Sequence, residues 1–341
     1  MSPYNFEHEK YLRAKILNLE TKPEIKKQTK NSRTYFNDLK EGLLHKYGDM
    51  ELEDLKGYGE FENEYGVGVK FTQEDKKRKF QIKSNPEKLQ TNLKLIKGIG
   101  IKKEEKLKKQ GYQTLKDLKQ HNTYKKSAEE TLKKIETDNF KNTVNCVKEN
   151  SKDKTDLLEC LGNIPTENFK FMDIETLGLS NTHIILLGIA EIRNNKIFST
   201  QYFLKDYKDE PTILKEYFKH IGSDSVLVTF NGKKFDVPFI DNRSRRYRLE
   251  THPDLVHYDL MYYARNIWGD TLPNCKLQTI ESEIFNYHRE DDVPGEYVPD
   301  FWRTYNEMGN IGPIIPIIKH NRIDIVNLTC FLMKMCETRG L

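Results

Sequence analysis

The chain predicts an α/β fold, a mixed sheet flanked by helices, preceded by a mainly α-helical region. Three observations carry that expectation. From residue 166 onward, apolar runs of strand length are separated by turn residues and by one stretch with helical apolar spacing. Before about residue 160 the chain is polar and rich in Lys and Glu, with apolar residues at helical intervals. The 341 residues exceed one typical domain, and a hydrophobic content of 36% supplies a sizeable core.

Taken in order, residues 1 to about 55 read as helical, with apolar punctuation at Tyr11, Leu12, Ile16, Leu17, Phe36, Leu39, Leu43 and Leu44. Residues 57–82 alternate and contain glycines, as in a hairpin or extended segment. Residues 91–135 predict short helices, and 136–165 a polar connector. Phe169–Ile174 and His183–Ile192 predict paired core strands, with a turn at Gly178–Thr182. Lys196–Leu204 suits a third strand, Pro211–Ile221 an amphipathic helix, Ser225–Phe230 a buried strand, and Phe235 opens a helix. The expected organisation is a helical region over 1–90, a second region over 91–160, and an α/β domain over 161–341.

The net charge of +4 is unevenly spread. Residues 1–160 carry 35 Lys and Arg against 27 Asp and Glu, whereas residues 161–341 carry 21 against 25. A basic half suits a polyanion, and an acidic half suits a metal-dependent site. No run of about 18 apolar residues exists to span a membrane. The N-terminus lacks the basic-then-apolar layout of a secretory signal. Cys146, Cys160, Cys275, Cys330 and Cys336 are odd in number and form no C-x-x-C pair, which argues against zinc and disulfides and for a reducing, cytoplasmic setting.

Within 91–135, the stretch Leu95-Ile-Lys-Gly-Ile-Gly-Ile-Lys-Lys-Glu-Glu-Lys-Leu107 resembles a helix-hairpin-helix module. Gly98 and Gly100 permit a tight turn between two short helices, and Gly111 suits a helix C-terminus. The resemblance implies that the turn and the following helix N-terminus grip nucleic-acid phosphates without reading sequence. Lys97, Lys102, Lys103 and Lys106 would add salt-dependent affinity. The alternative reading is a spacer or protein-interaction unit.

Four acidic residues stand out in the α/β region. Asp173 and Glu175 interrupt a core strand, where an unpartnered carboxylate is costly to desolvate. Residues two apart on a strand share one face, so both aim at one spot. Asp236 follows a strand in Asn231-Gly-Lys-Lys-Phe-Asp236, and His320 and Asp324 lie four apart, on one helical face. Carboxylates gathered in this way commonly hold divalent cations.

The motif Asp173-x-Glu175 followed by Thr176-Leu177-Gly178-Leu179, then Asn231 with Phe235-Asp236, then His320-x-x-x-Asp324, resembles the DEDD exonuclease superfamily on an RNase H-like fold. More narrowly, residues 168–335 resemble its RNase H-like branch of bacteria and archaea. The strand and helix order described above is that of such a fold. The resemblance implies two Mg²⁺ or Mn²⁺ ions shared by Asp173, Glu175, Asp236 and Asp324, with His320 orienting or deprotonating the attacking water. It further implies Thr176 and Leu177 against the terminal nucleotide, and Asn231 on a sugar or phosphate. Members carry Tyr-x-x-x-Asp or His-x-x-x-x-Asp in the third motif; this chain has His at the tyrosine-type spacing, a departure from both.

The expected reaction is 3′-5′ exonucleolysis of single-stranded DNA, with RNA as the second choice. Two alternatives stand beside it: a structure-directed endonuclease, and a nucleic-acid-binding scaffold with a weak or inert nuclease site. Asp259 reads as a supporting carboxylate rather than a fifth ligand, and Tyr297, Phe301, Trp302 and Tyr305 as core rather than base-stacking surface. Arg243, Arg245, Arg246 and Arg248 suit either backbone phosphates or a solvated helix face.

Overall fold

A computed structural model describes residues 25–82, 86–137, 139–289 and 293–340. The helix expected within residues 1–24 lies outside the described residues. The first described element is helix α1 (Ile25–Lys46), which lays Phe36, Leu39 and Leu43 against a core cluster. Lys40 of α1 forms an ion pair of 2.5 Å with Asp300, which ties the helix to the C-terminal part of the chain. Strands β1 (Tyr58–Asn63) and β2 (Gly66–Lys79) pair antiparallel. Four short helices follow: α2 (Pro86–Gln90), α3 (Ile101–Lys109), α4 (Lys125–Ile135) and α5 (Phe140–Asn150).

The α/β part then runs β3 (Phe169–Thr176), β4 (Ile184–Arg193), β5 (Lys196–Phe203), α6 (Glu210–Phe218), β6 (Val226–Thr229), α7 (Asp236–Arg246) and β7 (Val256–Asp259). Helices α8 (Leu260–Trp268), α9 (Leu277–Phe285), α10 (Val298–Met308) and α11 (Ile314–Thr338) complete it. The strands form one seven-stranded sheet in the order β1-β2-β5-β4-β3-β6-β7. Pairing is antiparallel from β1 through β3 and parallel across β3, β6 and β7. This is the mixed sheet flanked by helices that an RNase H-like fold requires.

One expectation changes. Residues 58–79 do not stand apart from the α/β domain, because β2 pairs with β5 from Val69 opposite Phe203 through Asp75 opposite Ile197. The hairpin extends the sheet and covers what would otherwise be the exposed edge of β5. A boundary at residue 90 therefore does not separate the sheet from what precedes it.

The sheet is buried on both faces, so its central strands are apolar almost throughout; nine of the ten residues of β4 are buried. Alternation along β3 sends Phe169 and Phe171 to one core and Met172 and Ile174 to the other. The first core is shared with Leu93, Leu107, Leu118, Leu132 and Val147 of the helical region, and with Phe331 and Leu332 of α11. Phe301, Trp302 and Tyr305 are buried in the second, and the Trp302 indole N–H donates to the Leu204 carbonyl at 3.1 Å. Among the described residues no helix is long and apolar enough to cross a membrane.

Candidate active site

Asp173 and Glu175 occupy alternate positions with Phe169 and Phe171, so they point to the face of β3 that α11 covers. Helix α11 reaches them with His320, Asn321 and Asp324. Helix α7 opens at Asp236, whose Oδ1 accepts from the Ile174 amide at 3.2 Å. The structure thus brings Asp173, Glu175, Asp236, His320 and Asp324 together, although 151 residues separate the first from the last. His320 Nε2 lies 3.8 Å from Glu175 Oε1 and 3.4 Å from Asp324 Oδ2.

The electrostatics of the cluster are unfavourable as they stand. Burial raises the Asp173 carboxyl well above its usual range, and the charges of Asp324, Asp236 and Glu175 raise it further. Asp236 is pushed up to about 7, first by burial, with its backbone hydrogen bonds working in the opposite direction and Asp259 and Asp324 adding repulsion. Mutually repelling carboxylates in a water-poor site favour the arrival of positive charge, and an all-oxygen donor set suits Mg²⁺ or Mn²⁺. The donor chemistry fits such ions.

Among the described residues no three His, Cys, Asp or Glu side chains stand ready to hold an ion. Several of the oxygens already have partners. Arg289, a residue the sequence reading passed over, places one guanidinium nitrogen on Asp324 and also bonds Glu281 through two nitrogens at 2.6 Å. A third contact, at 3.2 Å, joins Arg289 to His320 Nδ1. A guanidinium only donates, so Nδ1 accepts, and the proton of a neutral His320 sits on Nε2, facing the carboxylates. Glu281 is fully buried and also accepts from Asn327 at 2.6 Å.

Asn321 was missed as well. It is fully buried, and its amide donates to Asp173 Oδ2 at 2.9 Å and to the Asp173 carbonyl at 3.1 Å. Its oxygen accepts from Gln201 at 2.9 Å, so the side chain is fixed at both ends. The approach depends on Gly188, directly opposite Asp173 in the sheet: a Cβ there would stand 2.2 Å from Asn321 Oδ1. Gly188→Ala is expected to cost about 1–3 kcal/mol by overpacking a site that cannot yield, measured as a fall in the urea midpoint at unchanged slope.

Asn231 adopts a left-handed conformation (φ 68°), which Asn tolerates better than most residues. Asp259 organises this turn, since its oxygens accept from the amides of Asn231 at 2.8 Å, Lys233 at 3.2 Å and Met261 at 3.2 Å. Thr176 ends β3, its hydroxyl donating to the Gly178 carbonyl at 2.7 Å, and Leu177 follows with its amide on the His183 carbonyl. Leu179, beyond them, is 86% exposed. Arg243 does not reach solvent: it is buried in an ion pair with Glu210.

The glycine-rich turn is remote in sequence from this cluster. Gly98 takes φ +90° and Gly100 precedes the first turn of α3; Lys97 before this turn and Lys102, Lys103 and Lys106 on α3 are exposed and, among the described residues, in no ion pair.

A pH dependence follows for the metal-free protein. Asp236 has its folded pKa raised from 3.8 to about 7, so its contribution to stability is complete below the lower value and lost as pH rises through the upper. In EDTA, the Tm of Asp236→Asn relative to the unaltered protein is expected to climb between about pH 4 and about pH 8. A difference that stays flat across that window contradicts the assignment.

The family model RNase_H_2, of the RNase_H superfamily, matches residues 170–336. The chain is 29% identical over 175 residues to "Uncharacterized protein YprB" of Bacillus subtilis (strain 168), covering 50% of this chain and 42% of that protein. It is 26% identical over 93 residues to "DNA polymerase 1" of Sulfurisphaera ohwakuensis, covering 27% of this chain and 10% of the polymerase. The aligned region thus spans less than half the length of either curated relative.

Proposed function

We propose that the RNase H-like superfamily domain formed by residues 170–336 hydrolyses phosphodiester bonds at the 3′ end of single-stranded nucleic acid, DNA ahead of RNA. The observation that carries this reading is the convergence of Asp173, Glu175, Asp236, Asp324 and His320 on one buried spot. The similarity to a protein named as a DNA polymerase agrees with a nucleic-acid substrate.

Two divalent cations, Mg²⁺ or Mn²⁺, held by Asp173, Glu175, Asp236 and Asp324 would supply the positive charge that activates water and stabilises the leaving oxygen. The remaining work falls to side chains. Asn321 holds Asp173 by its Oδ2, leaving Oδ1 free to turn inward. Arg289 and Glu281 fix the rotamer of Asp324. With Nδ1 committed to Arg289, His320 presents an N–H at Nε2, so it orients the attacking water rather than deprotonating it. Thr176 and Leu177, just past Glu175, would lie against the terminal nucleotide, and Asn231 would meet its sugar or phosphate.

Strands of one sequence carrying a free 3′ hydroxyl, a 3′ phosphate block or no end at all separate the modes of cutting. Attack confined to the free end supports the exonuclease. Cutting of the circle at internal bonds replaces it with the endonuclease.

A further inference from the structure

A second feature adjoins the site and joins three residues that precede 170 to residues within 170–336. A cavity of about 380 Å³ is lined by Lys148 and Lys154 from the end of α5 and the segment beyond, by Lys233 and Lys234 from the Asn231 turn, and by Arg265 and Tyr262 from α8. The five cations come from three separate parts of the chain. Among the described residues none of them forms an ion pair, whereas Lys141, about two helical turns before Lys148 on α5, pairs with Asp224 at 3.0 Å. The carboxylate that does line the cavity, Asp259, is engaged by three backbone amides.

Cations gathered without an ion pair repel one another, although the Lys154 ammonium donates to the Lys148 carbonyl at 3.1 Å. Lys233 is held below the usual lysine range, first by partial desolvation, with Asp259 acting in the opposite direction and a smaller repulsion from Lys148 adding to the lowering. Such an arrangement costs stability, and an external anion offsets the cost. Tyr262, 44% exposed, adds a ring on which a base can stack. Asn231 and Asp259 line the cavity on the side of the catalytic carboxylates, and Asp259 lies near enough to Asp236 to raise its pKa. Residues 149–153, which lie between Lys148 and Lys154 in the chain, wall a separate cavity of about 630 Å³ together with the Lys97–Ile101 turn.

We propose that this cavity is the channel for the sugar-phosphate backbone of the substrate strand upstream of the cleaved end, so that the connector and α8 hold a nucleic-acid single strand several nucleotides long. The assignment rests on the nuclease reading for its direction but not for its chemistry, which is that of an extended polyanion with unstacked bases.

The test uses the full chain in EDTA and a fluorescent oligonucleotide of about 12 residues, with binding followed by anisotropy across a salt series. The double variant Lys148→Glu/Lys154→Glu is expected to bind about tenfold or more weakly at 0.1 M salt. Its slope of log K against log salt should be smaller by about 1.4, the value for two single-strand phosphate contacts. Lys233→Gln/Arg265→Gln, on the opposite walls, should weaken binding in the same direction. Lys76→Glu/Lys77→Glu, exposed on β2, should not. Cleavage of a dinucleotide, too short to cross the channel, should be unchanged in the first variant.

Equal binding by the channel variants and the β2 control overturns the channel while leaving the nuclease intact. Displacement of the oligonucleotide by a poly-glutamate peptide as readily as by unlabelled strand also overturns it, in favour of an acidic protein partner. Channel-dependent binding by a protein that hydrolyses nothing with Mg²⁺ or Mn²⁺ sustains the channel and removes the nuclease.

Discussion

Asp173→Asn is expected to lower the rate of hydrolysis at least about 10³-fold, or about 4 kcal/mol of barrier, and at the same time to raise the Tm of the metal-free protein. The two effects have opposite signs for one reason. Asp173 stands half-buried among Asp324, Asp236 and Glu175, so its charge burdens the fold and, on the proposed reading, serves the reaction. The amide isostere keeps the shape and retains an acceptor for Asn321 while removing the charge. Activity assays beside thermal unfolding in EDTA check both halves. A variant that is inactive and less stable would mean that Asp173 serves the fold instead.

Arg289→Met is expected to destabilise the protein by about 3–5 kcal/mol, because it strands Glu281 as an unpaired buried carboxylate. Glu281 is fully buried, and Arg289 meets both of its oxygens. The double variant Glu281→Gln/Arg289→Met should recover most of the loss, since it removes both charges together. Urea unfolding of the four proteins of this cycle measures the coupling. A single-variant loss under about 1 kcal/mol would place Arg289 among ordinary surface pairs.

Where the chain was legible, local physics decided the outcome. The run Ile184-Ile-Leu-Leu-Gly-Ile-Ala-Glu-Ile192 is a strand because only a sheet centre buries it on both faces. The spacing of Asp173 and Glu175 fixes a shared face, and that of His320 and Asp324 a shared helical side, so their convergence followed from geometry available in the sequence. The pairing of β2 with β5 was not legible. It joins residues more than 100 apart, and nothing in a glycine-bearing, half-polar strand names its partner.

Arg289 escaped notice for a similar reason. It lies in a polar segment after α9, and only the tertiary fold carries it to Asp324, 35 positions on. Glu281 offered a faint signal, being an acid directly after the core residue Ile280 on an amphipathic helix. Asn321 stood inside the third motif without a role, because its value depends on Gly188 leaving room for it on a strand more than 130 positions earlier.

The most direct test follows 5′-labelled single-stranded DNA and RNA of one sequence over time, with Mg²⁺, with Mn²⁺ or with EDTA, beside the Asp173→Asn protein. A ladder shortening from the 3′ end, present with either metal and absent in EDTA and in the variant, is the predicted result. Strands left intact under every condition, or cut equally well by the variant, would contradict the account.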